Sequence, residues 1–114
     1  MNHRWELSDY AKESVNDQIL WYEDNVYPGG DELADRWFAE LHAAFEVIAK
    51  SPLRFGLAPE NTKWLPELQI RQMLFRPWKS GVGWRVLFAV DEEAKLVTIL
   101  QMRHEHRVWM HETE

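Results

Sequence analysis

The sequence predicts one α+β domain: a short N-terminal strand, an antiparallel helical hairpin, and a three-strand antiparallel meander, with both helices packed on one face of the sheet. Three observations predict this fold. The chain has 114 residues, the size of one domain, and 46% of them are hydrophobic, which is enough to form a core. Apolar residues recur at helical spacing over 9–50, and they alternate with period two over 68–103. Helices followed by a run of strands are typical of this fold class.

The first strand is predicted over residues 4–7 and the first helix over about 9–26. Ser8 suits the N-cap position, because its hydroxyl can accept a hydrogen bond from an unpaired amide of the first turn, and Asp9 adds favourable negative charge there. The helix is indicated by an apolar stripe at helical spacing, which consists of Ala11, Val15, Ile19, Tyr22 and Val26. The sequence Pro28-Gly29-Gly30 is expected to end it.

A second helix is predicted over about 31–50, with Asp31 as its N-cap. Its apolar stripe consists of Leu33, Trp37, Leu41, Ala44, Phe45 and Ile48. Only a few residues separate the two helices, so we expect an antiparallel hairpin. Three prolines and one glycine within 52–66 then predict a loop.

The remaining strands are predicted over about 68–76, 82–90 and 96–103. In the second of them, Trp84, Val86 and Phe88 alternate with Arg85, Leu87 and Ala89, and the first three are expected to face the helices. Neighbouring side chains on a strand point to opposite faces. Arg85 is therefore expected on the face away from the helices.

The charge of the chain is uneven. The net charge is −6. Residues 1–50 hold four Lys/Arg against eleven Asp/Glu, whereas residues 51–107 hold nine Lys/Arg against six Asp/Glu. The second half is therefore the plausible docking region for an anionic partner. The chain has no cysteine, which fits a reducing compartment, and it has neither an apolar run of membrane-spanning length nor a signal-peptide pattern at Met1. We expect a cytoplasmic protein with no membrane partner.

Taken together, these segments resemble the RelE/ParE superfamily of toxins from bacterial type II toxin–antitoxin modules. The resemblance covers most of the chain in the right order. It is carried by Leu7-Ser8-x-x-Ala11, Leu33-Ala34-x-x-Trp37-Phe38-x-x-Leu41, Ile48-Ala49-x-x-Pro52-x-x-Phe55, Arg71, the strand from Trp84 to Val90, and the stretch from Val97 to Arg107.

The resemblance implies a toxin that a cognate antitoxin holds silent, without any cofactor. RelE-like members cut ribosome-bound mRNA without a metal, whereas ParE-like members poison DNA gyrase. The ending Arg103-His104-x-x-Arg107, the acidic net charge and the scarcity of lysines before the sheet, where Lys63 and Lys79 are the candidates, are closer to the ParE-like branch. The resemblance also leaves open a homodimer or a heterotetramer with the antitoxin.

Two residues are candidate catalytic groups, Arg85 by resemblance and His104 because an imidazole can transfer protons near neutral pH. Arg71, Arg103 and Arg107 are candidates for binding the target or another anion, and Arg71 could share an anion with Arg85. The alternative for each arginine is a structural ion pair or a solvated strand face. Glu67 is a further possible base, or a solvated loop residue.

The stretch His104-Glu105-His106 offers two histidines without a third clear ligand, so no metal is predicted.

Trp64, Trp78 and Trp109 fall in predicted loops or in the tail, so they could form an apolar patch that the antitoxin covers. Trp78 with Lys79 could instead stack on a base. Three functions therefore stay open from the sequence: a gyrase-type toxin, which is slightly preferred, a metal-independent ribosome-dependent mRNA endonuclease, and a non-toxic relative that only binds a protein partner through the acidic residues 1–50.

Overall fold

A computed structural model describes residues 3–59, 69–78 and 83–104 of the chain. In these ranges the elements are a strand β1 (Arg4–Leu7), two helices, α1 (Asp9–Asn25) and α2 (Gly30–Lys50), a single 3-10 turn (Pro52–Arg54), and three further strands, β2 (Arg71–Phe75), β3 (Trp84–Asp91) and β4 (Leu96–His104). The strands form one sheet in the order β1-β4-β3-β2. β1 runs parallel to β4, and the other neighbours are antiparallel. The predicted α+β architecture is confirmed.

Ser8 is the N-cap of α1, as predicted. Its Oγ accepts a hydrogen bond from the Ala11 amide at 3.1 Å and donates one to the Leu100 carbonyl at 2.8 Å. One side chain therefore stabilises the first turn of the helix and also fixes the start of α1 against β4. The backbone amide of Ser8 adds a bond to the Ile99 carbonyl.

The N-terminus of α2 differs from the prediction, because Asp31 lies inside the first turn instead of at the cap. The helix begins at Gly30, and its N-cap is Gly29, whose φ of 99° favours glycine. A Cβ on Gly30 would clash with the Tyr22 carbonyl oxygen, so α1 and α2 approach each other closely at this point. The glycine pair therefore makes the tight reversal between the helices, and the Tyr27–Pro28 peptide bond that precedes it is cis.

The main core lies between the helical hairpin and one sheet face. Its largest completely buried side chains include Trp37, Phe45 and Phe88, and Trp84 is also buried. The predicted inward side of β3 is therefore confirmed. Rings in this core meet edge-on, as Trp37 does with Trp84 at a centroid distance of 5.6 Å, an arrangement that aromatic pairs favour.

The opposite side of the sheet, called the outer face below, carries a second, smaller core. Leu87 on this face is completely buried and packs with Ala58, Ile70 and Leu100. The segment after the 3-10 turn pairs with the chain at the start of β2, since the Ala58 backbone amide donates to the Ile70 carbonyl and the Gln72 backbone amide donates to the Gly56 carbonyl. The predicted strand over 68–76 therefore begins only at Arg71, after Gln69 with its positive φ of 50°.

Candidate anion-binding site on the outer face

Arg85 and Arg103 lie directly opposite each other on adjacent strands. The pairing of β3 with β4 aligns Arg85 with Arg103, and it aligns Trp84 with His104 and Val86 with Met102. Trp84, Val86 and Met102 belong to the main core. Because neighbouring residues alternate between faces, both arginines project from the outer face. Both are partly buried.

Gln72 on β2 holds the guanidinium group of Arg85. Its Oε1 accepts from Arg85 Nε at 3.0 Å and from Nη2 at 2.8 Å. The backbone of Gln72 is itself fixed by a hydrogen bond from its main-chain N–H to the Gly56 carbonyl. The neutral Gln72 oxygen fixes the orientation of the planar Arg85 guanidinium group.

An apolar side chain and a third arginine border this pair. Leu74 on β2 is aligned with Arg85 and is 49% exposed. Arg76 follows β2, and its Cγ lies where a Cβ on Gly83 would be. Gly83 therefore allows the Arg76 side chain to pack against the start of β3, two residues before Arg85. Three arginines therefore lie at this corner of the outer face.

The side-by-side arrangement of Arg85 and Arg103 is compatible with an anion. A phosphate or carboxylate between two guanidinium groups can accept charge-assisted hydrogen bonds from both. Arg85 and Arg103 are therefore the candidate residues for binding an anion together.

Two other predicted site residues lie on the helix-facing side. His104 meets Trp84 edge-on at a centroid distance of 5.5 Å. Arg71 is aligned with Phe88, and its Nη1 donates to the Phe55 carbonyl at 2.6 Å. The expectation that Arg71 shares an anion with Arg85 is therefore wrong, because register places the two on opposite faces. The candidate catalytic pair, Arg85 and His104, is also divided between the two faces.

Trp78 is partly buried and packs against the main core, and its predicted contact with the antitoxin stays a prediction. Its Nε1 donates to the Tyr22 hydroxyl at 3.2 Å, and the Arg36 guanidinium carbon lies 5.3 Å from its ring centroid. The link between Trp78 and α1 closes one end of the main core. The other expectations for single residues, on Trp64, Trp109, Arg107, Lys63, Lys79, Glu67 and His106, concern positions outside the described residues.

Two features were missed at the sequence level. One is Gln72, which carries no signal beyond being polar in a strand. The other is a groove of about 530 Å³ between α1 and the end of β4, called the α1 groove below. Its walls include Tyr10, Ser14, Asp17 and Trp21 from α1, and Gln101 to His104 from β4. The signal was present, since positions 10, 14, 17 and 21 form a second stripe at helical spacing.

Two searches for particular kinds of site gave no result in the described ranges. No three His, Asp or Glu side chains among residues 3–59, 69–78 and 83–104 are grouped so that they could hold a metal ion. Neither α1 nor α2, nor any other helix described, is long and apolar enough to cross a membrane.

The fold is similar to that of a chain in a solved toxin–antitoxin complex. A chain of the RelBE2 toxin–antitoxin complex from Mycobacterium tuberculosis matches with a TM-score of 0.51 and 19% identity, over 92% of this chain and all of that one. A chain of the archaeal RelE–RelB complex from Pyrococcus horikoshii OT3 matches with a TM-score of 0.42 and 12% identity, over 95% of this chain and all of that one. No family model and no curated protein matches the sequence. The M. tuberculosis match confirms the predicted RelE-type fold.

Proposed function

We propose that this chain is the toxin of a toxin–antitoxin pair and that Arg85 and Arg103 contact its cellular target. The fold supports the role as a toxin, because the M. tuberculosis structure that has a similar fold is a toxin–antitoxin complex. The alignment of Arg85 with Arg103 on the outer face carries the second part. Two neighbouring guanidinium groups, one of them held by Gln72, suit a phosphate or an acidic protein surface.

We place DNA gyrase ahead of mRNA as the target. Arg85 and His104 lie on opposite sheet faces, which favours a binding role for Arg85 over joint acid–base catalysis with that imidazole. The net charge of −6 also disfavours broad contact with ribosomal RNA. The second candidate is a metal-independent mRNA endonuclease. The arginine pair is the observation that favours it, because guanidinium groups stabilise the charge that develops on a reacting phosphate.

A cognate antitoxin is the proposed protein partner, and it would silence the toxin in the cytoplasm. The proposed assembly is a toxin homodimer or a heterotetramer of toxin and antitoxin. A third possibility is a non-toxic relative that only binds a protein. Its support is the acidic helical hairpin, which holds ten Asp/Glu against three Lys/Arg over residues 9–50. Such a surface fits a basic partner, and added salt should weaken that complex.

Growth after tightly controlled induction tests the proposal. We expect the parent chain to arrest a bacterial culture, and we expect the Arg85→Ala and Arg103→Ala variants to be at least tenfold less inhibitory in colony counts. Arg4→Ala is the matched control. Arg4 is exposed on β1, which is separated from β3 by β4, and it should arrest growth like the parent. Circular dichroism must show that each variant is folded.

The cause of the arrest distinguishes the targets. Intact transcripts with gyrase-dependent DNA breaks, and inhibited supercoiling by purified gyrase, would support the gyrase proposal. Cleaved transcripts with intact DNA would replace it with the endonuclease. Normal growth with soluble, folded parent chain, in hosts with both targets, would leave only the binding module. Equal arrest by the parent and both arginine variants would remove the outer face from the mechanism.

A further inference from the structure

The outer face carries a glutamine on each side of Leu87. Register aligns Gln72 on β2 with Leu87 on β3, and it aligns Leu87 with Gln101 on β4. Arg85 precedes Leu87 by two residues on the same face, so each glutamine occupies a position diagonal to Arg85. Diagonal neighbours on adjacent strands lie roughly 7–8 Å apart, which is within reach of long side chains. The two glutamines are therefore placed alike with respect to Arg85.

The two glutamines differ in their hydrogen bonds. Gln72 Oε1 accepts two N–H groups of Arg85. Gln101 Oε1 is buried, and no donor within residues 3–59, 69–78 and 83–104 reaches it. Buried side-chain oxygens in native structures nearly always have a donor, so a buried oxygen without one indicates a partner that arrives in another state of the protein.

Arg103 is placed to donate to this oxygen. It follows Gln101 by two residues on β4, a distance of about 6.6 Å along a strand, and it projects from the same face. Both residues also line the α1 groove. A guanidinium group has five N–H donors in a fixed fork, so it can donate to an anion and to a glutamine oxygen at the same time.

We propose that Gln101 is a second positioning residue of the arginine site. When an anion binds between Arg85 and Arg103, the Arg103 guanidinium group donates to the anion through one edge and donates a further N–H to Gln101 Oε1. Each arginine is then held by one glutamine, Arg85 by Gln72 and Arg103 by Gln101. This inference rests on the proposed function, because it requires that the two arginines bind an anion together.

The proposal predicts different effects of the two glutamines on stability. Gln101→Met replaces a buried oxygen that has no donor in the described chain by an apolar group of similar shape, so this variant should melt at the parent's temperature or above it. Gln72→Met removes the acceptor of two N–H groups of Arg85, so it should melt below the parent. Both variants should bind the anion more weakly.

Titration of the full chain with inorganic phosphate at constant ionic strength tests this proposal. The readout is the side-chain Nε–H resonances of Arg85 and Arg103 in heteronuclear NMR spectra, which single Arg→Lys substitutions at each position assign. We expect phosphate to shift both resonances, and we expect Gln101→Met to raise the Kd for phosphate about tenfold, the equivalent of about 1.4 kcal/mol. Gln101→Glu adds a charge that competes with phosphate for Arg103, so it should weaken binding further.

Gln18 supplies the matched control. It is a partly buried glutamine on α1, away from the outer face, and Gln18→Met and Gln18→Glu should bind phosphate like the parent. Thermal unfolding of the same variants without phosphate gives the stability readout.

The outcomes separate this inference from the proposed function. If phosphate shifts both arginine resonances and Gln101→Met keeps the parent's affinity, then Gln101 does not position Arg103, while the arginine site stands. If phosphate shifts neither resonance in the parent, the arginine site is wrong and the inference falls with it. A Gln101→Met variant that melts below the parent would also overturn the inference, because Gln101 would then be bonded in the anion-free protein.

Discussion

Two substitutions at Gln72 separate the charge of the arginine pair from its positioning. Gln72→Ala removes the acceptor for two N–H groups of Arg85, at 3.0 Å and 2.8 Å. Hydrogen bonds to charged groups contribute about 1.5–3 kcal/mol. Arg85 is only partly buried, so water replaces much of the loss, and we expect a free-energy cost of about 1 kcal/mol. For a domain of this length that lowers the Tm by roughly 4 °C.

Gln72→Glu keeps the acceptor and adds a negative charge beside Arg85. The carboxylate strengthens the contact, so we expect a Tm equal to or above that of the parent. The same charge repels an anionic target. We expect growth inhibition by Gln72→Glu to fall below that of the parent, at least as far as any fall in Gln72→Ala. Thermal unfolding and colony counts on the same variants give both quantities. If Gln72→Glu inhibits growth as strongly as the parent, then Arg85 does not attract an anion and the reasoning fails.

Two further predictions concern stability. Leu87→Ala should reduce the free energy of unfolding by about 2–4 kcal/mol, because this leucine is completely buried in the second core. Leu74→Ala on the same face, where the side chain is 49% exposed, should reduce it by less than about 1 kcal/mol. Equal losses in urea unfolding would contradict the second core. The pKa of Glu92 is lowered, first by the hydrogen bond from Lys95 and also by His3, so its contribution to stability is present near neutral pH and is lost as pH falls through the range where the carboxyl binds a proton. Glu92→Gln should therefore melt below the parent at pH 6, and the difference in Tm should shrink as the pH is lowered below the ordinary range of a glutamate. A difference that does not shrink with falling pH would exclude this cause.

Element types and the main core could be predicted from the sequence because they depend on periodicity. The stripe of α2 and the alternation in β3 each indicate one buried side, and Trp37, Trp84 and Phe88 are buried on it. The start of α2 was missed for a local reason. Asp31 has the composition of a cap, but the close approach of Gly30 to Tyr22 fixes where the helix begins, and that contact depends on tertiary packing.

The composition of the arginine site could be predicted only in part. Arg85 was expected on the outer face because Trp84 and Val86 flank it. Arg71 could not be assigned to a sheet face from the sequence, since both sides of its strand mix polar and apolar residues. Its face is known only from its alignment with Phe88. The packing of Trp78 on the core could not be predicted, because a turn residue shows no periodicity and its contact with Tyr22 connects segments 56 positions apart in sequence.

The alignment of Arg103 with Arg85 depends on a β-bulge in β4. On this strand Val97 and Ile99 face the main core, and after them Met102 does, so the buried positions change from odd to even numbers. The pairing shifts at the same place, since Phe88 is aligned with Ile99 but Leu87 with Gln101, which leaves Leu100 as the extra residue. If the same sequence alternated along β4 without a bulge, residue 103 would keep the odd-numbered phase and its guanidinium group would point into the core beside α1. The bulge therefore brings Arg103 to the face of Arg85, and the side chain of the extra residue, Leu100, packs on Leu87 in the second core.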